Sequence, residues 1–459
     1  MDDRLNTLKV AEDQADYIAP IKINRIKLTN YKFFYGEFEL PVNGENLLVY
    51  GENGTGKSSI YKALELLTKK EIPADEFVRS RNVFNPEGDT SIEIEFTNDQ
   101  TYIIDADTTT YPDYVDFLHG LSVFVPMLDY KKLLKVHYTI ENIEQINLYR
   151  LFRTLLKDYE YRQNEKLSEI KDPNKYYEEL TRIMEDKLLK DINYYLNKYF
   201  ESDCIIDSFD CRTEIDSEDD SRIIPVVNIT IDYKENSIEN YHNFLNEARL
   251  SALAISIYLS TIKTLYSALK KGSLKILVLD DLLISLDMSN RLKLLEILKN
   301  EFNDFQIFFF THDKELFELY KNKMTWNKYE IYLDDTEKIP KAILKQGKSE
   351  IDRAKEYYVK KDYDACALFL RKGFEKILKA YLTPKEQRDK NCEELNLSGL
   401  VGKAISKSRS GNKRILKKLD SDRKHILNPL SHNDTRPIYS QELKSAMDDL
   451  EELKGLLTQ

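Results

Sequence analysis

Residues 46–58 read NLLVYGENGTGKS. An apolar run, Leu47–Tyr50, enters a turn carrying Gly51, Gly54 and Gly56, and Lys57 and Ser58 leave it. This is Gly-x4-Gly-Lys-Ser, set between a strand and a helix expected over 57–70. Glycines let main-chain amides converge on phosphate oxygens, and the helix N-terminus adds partial positive charge. On that reading Gly51, Glu52, Asn53, Gly54, Thr55, Gly56, Lys57, Ser58 and Ser59 form a phosphate-binding loop. Lys57 reaches the β- and γ-phosphates and the Ser58 hydroxyl ligates the metal. The expected ligands are ATP and Mg2+.

Such a loop needs an acidic partner at the end of another buried strand. Residues 274–280, LKILVLD, supply it, with Asp281 next. Asp280 is placed to hold Mg2+ through water, and Asp281 to act as general base toward an attacking water. The alternative is a pair of helix-capping aspartates, since Ser285 and Asp287 follow. The next apolar strand, FQIFFF (305–310), ends in Thr311-His312-Asp313. His312 is a candidate γ-phosphate sensor, although a histidine at a strand end also occurs without a role.

Outward from these motifs, 459 residues are too many for one ordinary core. Strand patterns fill 21–50, 91–96, 101–105, 121–127, 204–209, 223–233 and 329–334. Residues 140–200 carry helical periodicity broken at Asp172-Pro173, which predicts two antiparallel helices. Beyond Lys341 the strand signals stop, and helices are expected at 349–361, 362–382, 398–408, 412–419 and 439–457. The expected organisation is an acidic extension over 1–20, an α/β unit over 21–341 and an all-α domain over 345–459.

No apolar run approaches the ~20 residues that cross a bilayer, and the acidic start lacks the order of a signal peptide. Cys204, Cys211, Cys366 and Cys392 form no CxxC pair, which indicates neither a zinc site nor a disulfide framework. A cytoplasmic protein without a membrane partner is expected. The net charge of −11 excludes a uniformly basic surface, yet 341–459 carries 26 Lys+Arg against 18 Asp+Glu. Its densest run, 403–424, reads equally as a nucleic-acid patch or a solvated helix face.

The order P-loop, helical insertion, LNEARLSA (245–252), LVLDD, SLD, FFFTHD resembles an ABC-type ATPase head of the RecF/SMC/OLD group over roughly 21–335. The resemblance implies a mixed sheet plus an antiparallel lobe, and two heads that sandwich two ATP molecules. It also implies a Walker A loop at Gly51–Ser59, a Walker B aspartate at Asp280 and a D-loop at Ser285–Asp287. His312 becomes the switch histidine, and Leu245–Arg249 the signature facing the P-loop of the opposite head. Three positions depart from the pattern. Asp281 stands where the family has Glu, no Gln marks a Q-loop near 127–130, and Asn246-Glu247-Ala248-Arg249 replaces the glycine-bearing signature. There Asn246 offers an amide donor, Ala248 permits close approach and Arg249 adds a cation.

The insertion resembles a truncated arm. At ~1.5 Å per residue a 25-residue helix spans only ~38 Å, which suits a contact hairpin rather than DNA entrapment. The chain is similar in length to the RecF-like ATPases of anti-phage systems such as PARIS and Septu. That similarity implies a homodimer or higher homo-oligomer, a separate effector nuclease and a sensor or scaffold role; a RecF-type repair ATPase is the rival. Residues 354–382 also resemble the first helices of HEPN-like bundles, an RNase toxin reading with His425 or His432 catalytic. In RKHILNPLSH, however, Arg423 lies nine residues before His432, not the four to six intervening residues that fold requires. LNPLSHND (427–434) resembles the defence proteins and reads locally as a helix-capping turn.

Overall fold

The structure, a computed structural model, describes residues 20–457 apart from 70, 108–109, 111, 119, 122–125, 138–145, 163–164, 216–222, 268–271, 283–287, 409 and 428–439. It divides into two compact units, residues 1–346 and 347–459.

The first unit opens with β1 (Ile23–Thr29) and β2 (Glu37–Pro41), followed by β3 (Leu47–Gly51), buried along its whole length. β4 (Ser91–Phe96) and β5 (Thr101–Ile104) return beside β1, making an antiparallel sheet in the order β2-β1-β4-β5. Strict alternation buries Ile26, Leu28, Leu40, Ile92 and Ile94 on one face. β6 (Met127–Asp129) shares only Met127 with the strand expected at 121–127, where residue 121 is helical and 122–125 lie outside the described residues. After a small hairpin, β7 (Glu160–Arg162) and β8 (Glu165–Lys166), come β9 (Cys204–Ile215), β10 (Ile223–Tyr233) and β11 (Asn236–Ile238), a second antiparallel sheet.

β12 (Ile276–Asp280), β13 (Gln306–Thr311), β14 (Asn327–Asp334) and β15 (Lys341–Gln346) complete a six-stranded sheet, ordered β15-β14-β3-β13-β12-β6. All neighbours pair parallel except β14 with β15. Continuous apolar runs suit strands covered on both faces, and burying each Leu, Ile or Phe contributes about 1.5–3 kcal/mol. Because the five strands from β14 to β6 run the same way, their carboxyl ends share one edge. The expected mixed sheet and antiparallel lobe are both present. Gln306, 1% exposed, joins them: its Oε1 accepts from Ile23 N at 2.7 Å, and its Nε2 donates to Ile23 O at 2.8 Å and Glu45 O at 3.1 Å.

Two expectations are corrected. Residues 140–200 form no projecting two-helix hairpin among the described residues. Helix Tyr149–Leu156 precedes the β7–β8 hairpin, and Pro173–Ile183 continues through a π-helical turn, Met184–Leu189, into Lys190–Lys198. Asp172 caps that run by accepting from Asn174 N at 3.0 Å, with Pro173 at the first helical position. Leu180, Ile183, Leu188, Ile192 and Tyr195 are buried in the core of the first unit. A stripe this continuous needs a partner along its length, and the segment is a wall of the lobe rather than an arm. Past Lys341, where strand signals stop in the sequence, β15 pairs with β14 in the register Ile331↔Leu344. Its alternation is hidden by lysines on the open edge, and the boundary falls at 346/347, beside the expected 341–345 junction.

The second unit is helical: Glu350–Val359, Tyr363–Tyr381, Leu397–Lys407, Ser410–Asp422 and Ser440–Leu457, with a π-helical turn at Arg423–Leu427. Ser349, Asp362 and Asn396 set helix starts by accepting from the amides of Asp352, Ala365 and Gly399. Leu370, Phe374, Leu400, Leu416 and Leu450 lie in its core.

Candidate active site

The shared carboxyl edge brings the motif residues together. Thr311 pairs with Tyr50, Asp280 with Phe310, and Asp280 with Asp129 on the far side. In spatial order the edge therefore presents the loop after β3, then Thr311-His312, then Asp280-Asp281, then Asp129. This is where a doubly covered α/β sheet binds ligands.

The loop is shaped by its glycines. Gly56 has φ +98°, and a Cβ there would meet Phe33 Cδ1 and Phe34 Cζ at 2.7 Å. Helix Lys57–Leu67 starts directly from this left-handed residue and has no side-chain cap. Thr55 Oγ1 donates to Glu52 O at 2.9 Å, and Ser59 Oγ accepts from Phe33 N at 3.4 Å. Gly51 is buried, whereas Glu52, Asn53, Gly54 and Ser58 are exposed. Lys57 is 5% exposed, and its Nζ donates to Gly51 O at 2.6 Å and Glu52 O at 3.1 Å. Burial lowers its pKa against the opposing fields of Asp281 and Asp280.

Tyr50 is clamped just before the loop. Lys314 Nζ lies 4.3 Å from the Tyr50 ring centroid and 2.7 Å from the buried carboxylate of Glu330, which is Tyr50's register partner on β14. Sequence reading missed this clamp.

Asp280 ends β12. Burial, with Asp281 next, pushes its carboxyl up to about 7 against the pull of Lys57. Its Oδ1 is buried without a hydrogen-bond partner among the described residues. An orphaned, buried carboxylate oxygen is what a hard divalent cation satisfies, so the chemistry of Asp280 fits the Mg2+ that the sequence implies. Asp129 lies in the 127–130 stretch where the resemblance implies a Q-loop. Its Oδ2 accepts from Tyr61 OH at 3.4 Å and its Oδ1 from Lys132 N at 2.9 Å. The available signal was an acid ending an apolar strand, as at Asp280.

Asp281 has φ +48°, a conformation uncommon outside glycine but tolerated by Asp and Asn. Its main-chain N donates to Phe310 O at 3.1 Å. Its Oδ1 accepts the His312 main-chain N–H at 2.8 Å and lies 2.7 Å from His312 Nδ1. Asp313 then starts helix Lys314–Lys323, accepting from Leu316 N at 3.0 Å while paired with Arg291. Ser285–Asp287 lie outside the described residues.

The signature residues sit elsewhere. Asn246 precedes helix Glu247–Ser267, whose Leu250–Ile262 stretch is wholly buried. Asn246 Oδ1 accepts from Arg249 N at 3.0 Å, a side-chain cap, and the Arg249 guanidinium lies 5.4 Å from the Tyr233 ring centroid on β10. Asn246 and Glu247 are exposed, Ala248 and Arg249 half-buried. Among the described residues, Asn246 and Arg249 bond their own helix and β10, not the P-loop.

In the second unit, Lys407, Lys418, Arg423 and Lys424 are ion-paired to Glu386, Asp449, Asp420 and Asp420. Arg423 is buried and also donates to Ser398 Oγ. Lys403, Lys413, Arg414 and Lys417 make no ion pair among the described residues, so about half the basic run remains available. Arg409, His432 and most of LNPLSHND lie outside the described residues.

No helix among the described residues is long and apolar enough to cross a membrane. No family model matches the chain, and no curated protein does. Similar solved structures are SMC heads. One is an Smc head bound to the C-winged helix domain of ScpA, at 11% identity, covering 72% of this chain and 99% of that one, with TM-score 0.44. The SMC head domain from Thermotoga maritima gives 11% identity, 70% and 98% coverage, and TM-score 0.38. An Smc head with an extended coiled coil, bound to the C-terminal domain of ScpA from Pyrococcus furiosus, gives 10%, 74% and 100%, and 0.39.

Proposed function

We propose that the chain is an ATPase head of RecF/SMC type that binds Mg-ATP at the edge formed by β3, β13, β12 and β6. The observation that carries this is the placement of Lys57 in the field of Asp280 and Asp281, beside a helix start left uncapped. The open amides of the loop and Lys57 take the β- and γ-phosphates. Asp280 and Ser58 hold Mg2+, which neutralises charge developing on the phosphates when bound. Asp281 and His312, joined by a hydrogen bond, form the reacting end.

Two copies are proposed to close around ATP, with Asn246, Glu247, Ala248 and Arg249 of each meeting the nucleotide held by the other. The exposure of Asn246 and Glu247 at a helix N-terminus supports this. The biological role proposed is the cytoplasmic sensor or scaffold subunit of an anti-phage system with a separate effector nuclease, on motif order and chain length alone. Lys403, Lys413, Arg414 and Lys417 favour a nucleic-acid contact on the second unit, which a RecF-type repair ATPase would share. The RNase reading loses support, because Arg423 is buried on Asp420 and Ser398.

Sedimentation of the full chain tests the assembly. Mg-ATP is expected to convert wild type and Asp281→Asn to dimers or larger species, and to leave Lys57→Ala unchanged. A mass that ignores Mg-ATP in both wild type and Asp281→Asn would refute it. A nuclease gene beside this one would separate defence from repair.

A further inference from the structure

The Asp281–His312 pair divides labour differently from the roles the sequence suggests for each residue alone. One oxygen, Asp281 Oδ1, takes the His312 main-chain N–H at 2.8 Å and faces the ring Nδ1 at 2.7 Å. The main-chain bond fixes the carboxylate, and the carboxylate fixes the ring. A left-handed backbone at φ +48° aims the short Asp281 side chain at residue 312, and strain of this kind persists where the surroundings hold it. Exposure points the same way: the His312 side chain is 35% accessible, that of Asp281 18%. The imidazole has access to water, while the carboxylate oxygen in question already carries two contacts.

A carboxylate against Nδ1 selects the tautomer with the proton on Nδ1 and leaves the Nε2 lone pair outward. We infer that His312, through Nε2, is the general base of this site, and that Asp281 is a positioning residue that sets its tautomer and stabilises the imidazolium. This rests on the ATPase reading above. In the step, Nε2 takes a proton from water as the water oxygen bonds to the γ-phosphorus. The bond from that phosphorus to the β–γ bridging oxygen breaks, and ADP leaves with the electron pair. The imidazolium then returns its proton to the product phosphate.

The decisive measurement needs no turnover. In full-length protein labelled with 15N-histidine and free of nucleotide, long-range proton–nitrogen correlation spectra report which ring nitrogen carries the proton, the His312 signals being those lost in His312→Gln. The expected pattern is Nδ1–H with unprotonated Nε2, reverting toward Nε2–H in Asp281→Ala. An Nε2–H ring in wild type overturns the inference. Turnover provides the second arm, read on variants that retain ATP binding. His312→Gln is expected to lose about 10²–10⁴-fold in kcat. Asp281→Asn, whose amide oxygen can still accept from Nδ1–H, is expected to lose about 10–100-fold, with the double variant no worse than His312→Gln. A larger loss in Asp281→Asn than in His312→Gln, with additive effects in the double variant, returns the base to Asp281. Wild type that binds no ATP would instead overturn the ATPase reading, whatever the tautomer.

Discussion

Two helices of the first unit begin at functional candidates, and they begin differently. Helix Lys57–Leu67 starts from Gly56 at φ +98° with no side-chain cap, beside an aspartate whose Oδ1 has no partner among the described residues. Helix Glu247–Ser267 starts from Asn246, which caps its third amide, while Arg249 lies over Tyr233. The first start leaves donors and a carboxylate unsatisfied and stays poised for an anion and a cation. The second satisfies itself and needs no ligand to be stable. A site and a scaffold thus differ in what they leave open, more than in how well they pack.

The sharpest way to break the contrast is to fill the open start. Gly56→Val would place side-chain atoms against Phe33 and Phe34 from a left-handed backbone. It is expected to cost about 3–5 kcal/mol in denaturant unfolding and to abolish ATP binding. A variant that binds ATP normally would show that the loop is not the phosphate cradle.

The unsatisfied aspartate comes next. Burial first, then Asp281, raises Asp280 to about 7, so between pH ~4 and ~7 the folded state keeps a proton that the unfolded state has lost. Stability of the ligand-free protein is therefore expected to fall as pH rises through that window, by on the order of 3–4 kcal/mol for this group. Asp280→Asn should flatten the slope and raise the melting temperature near pH 8. An unchanged slope in the variant would assign it to other groups.

The self-satisfied start should respond less. Asn246→Ala is expected to lose about 1 kcal/mol with the cap. Asn246→Asp keeps the cap and adds negative charge, so it should leave stability unchanged while weakening Mg-ATP-dependent assembly about tenfold or more. Equal assembly by Asn246→Asp and wild type would confine Asn246 to capping. Arg249→Ala, losing the contact with Tyr233, should cost about 0.5–1 kcal/mol.

Legibility in the sequence follows the same line. The open start was readable because its chemistry is local: glycine spacing, a lysine and a preceding apolar strand announce it within thirteen residues. Asp280, Asp281 and His312 could be found as polar residues ending apolar strands. Their pairing could not, since it depends on the backbone turn at Asp281 and on β12 and β13 being neighbours. Asp129 ends a short apolar strand as Asp280 does, but no motif marks it, and its place beside Asp280 follows only from the strand register. Gln306 looks like an ordinary polar residue at a strand start, yet its amide ties the two sheets together. Residues 140–200 misled for another reason. Helical periodicity reports that a face must be covered without saying by what, and Leu180, Ile183, Leu188 and Ile192 are covered by the lobe itself. β15 was missed because an open edge rich in lysine hides the period of two.

The central claim is that the loop at 51–58 holds ATP through Lys57, and equilibrium binding of ATP in the presence of Mg2+ tests it most directly. Wild type is expected to bind saturably. Lys57→Ala should bind at least about a hundredfold more weakly, a loss of about 2.7 kcal/mol, while still unfolding cooperatively. Equal affinity of the two proteins would contradict the account.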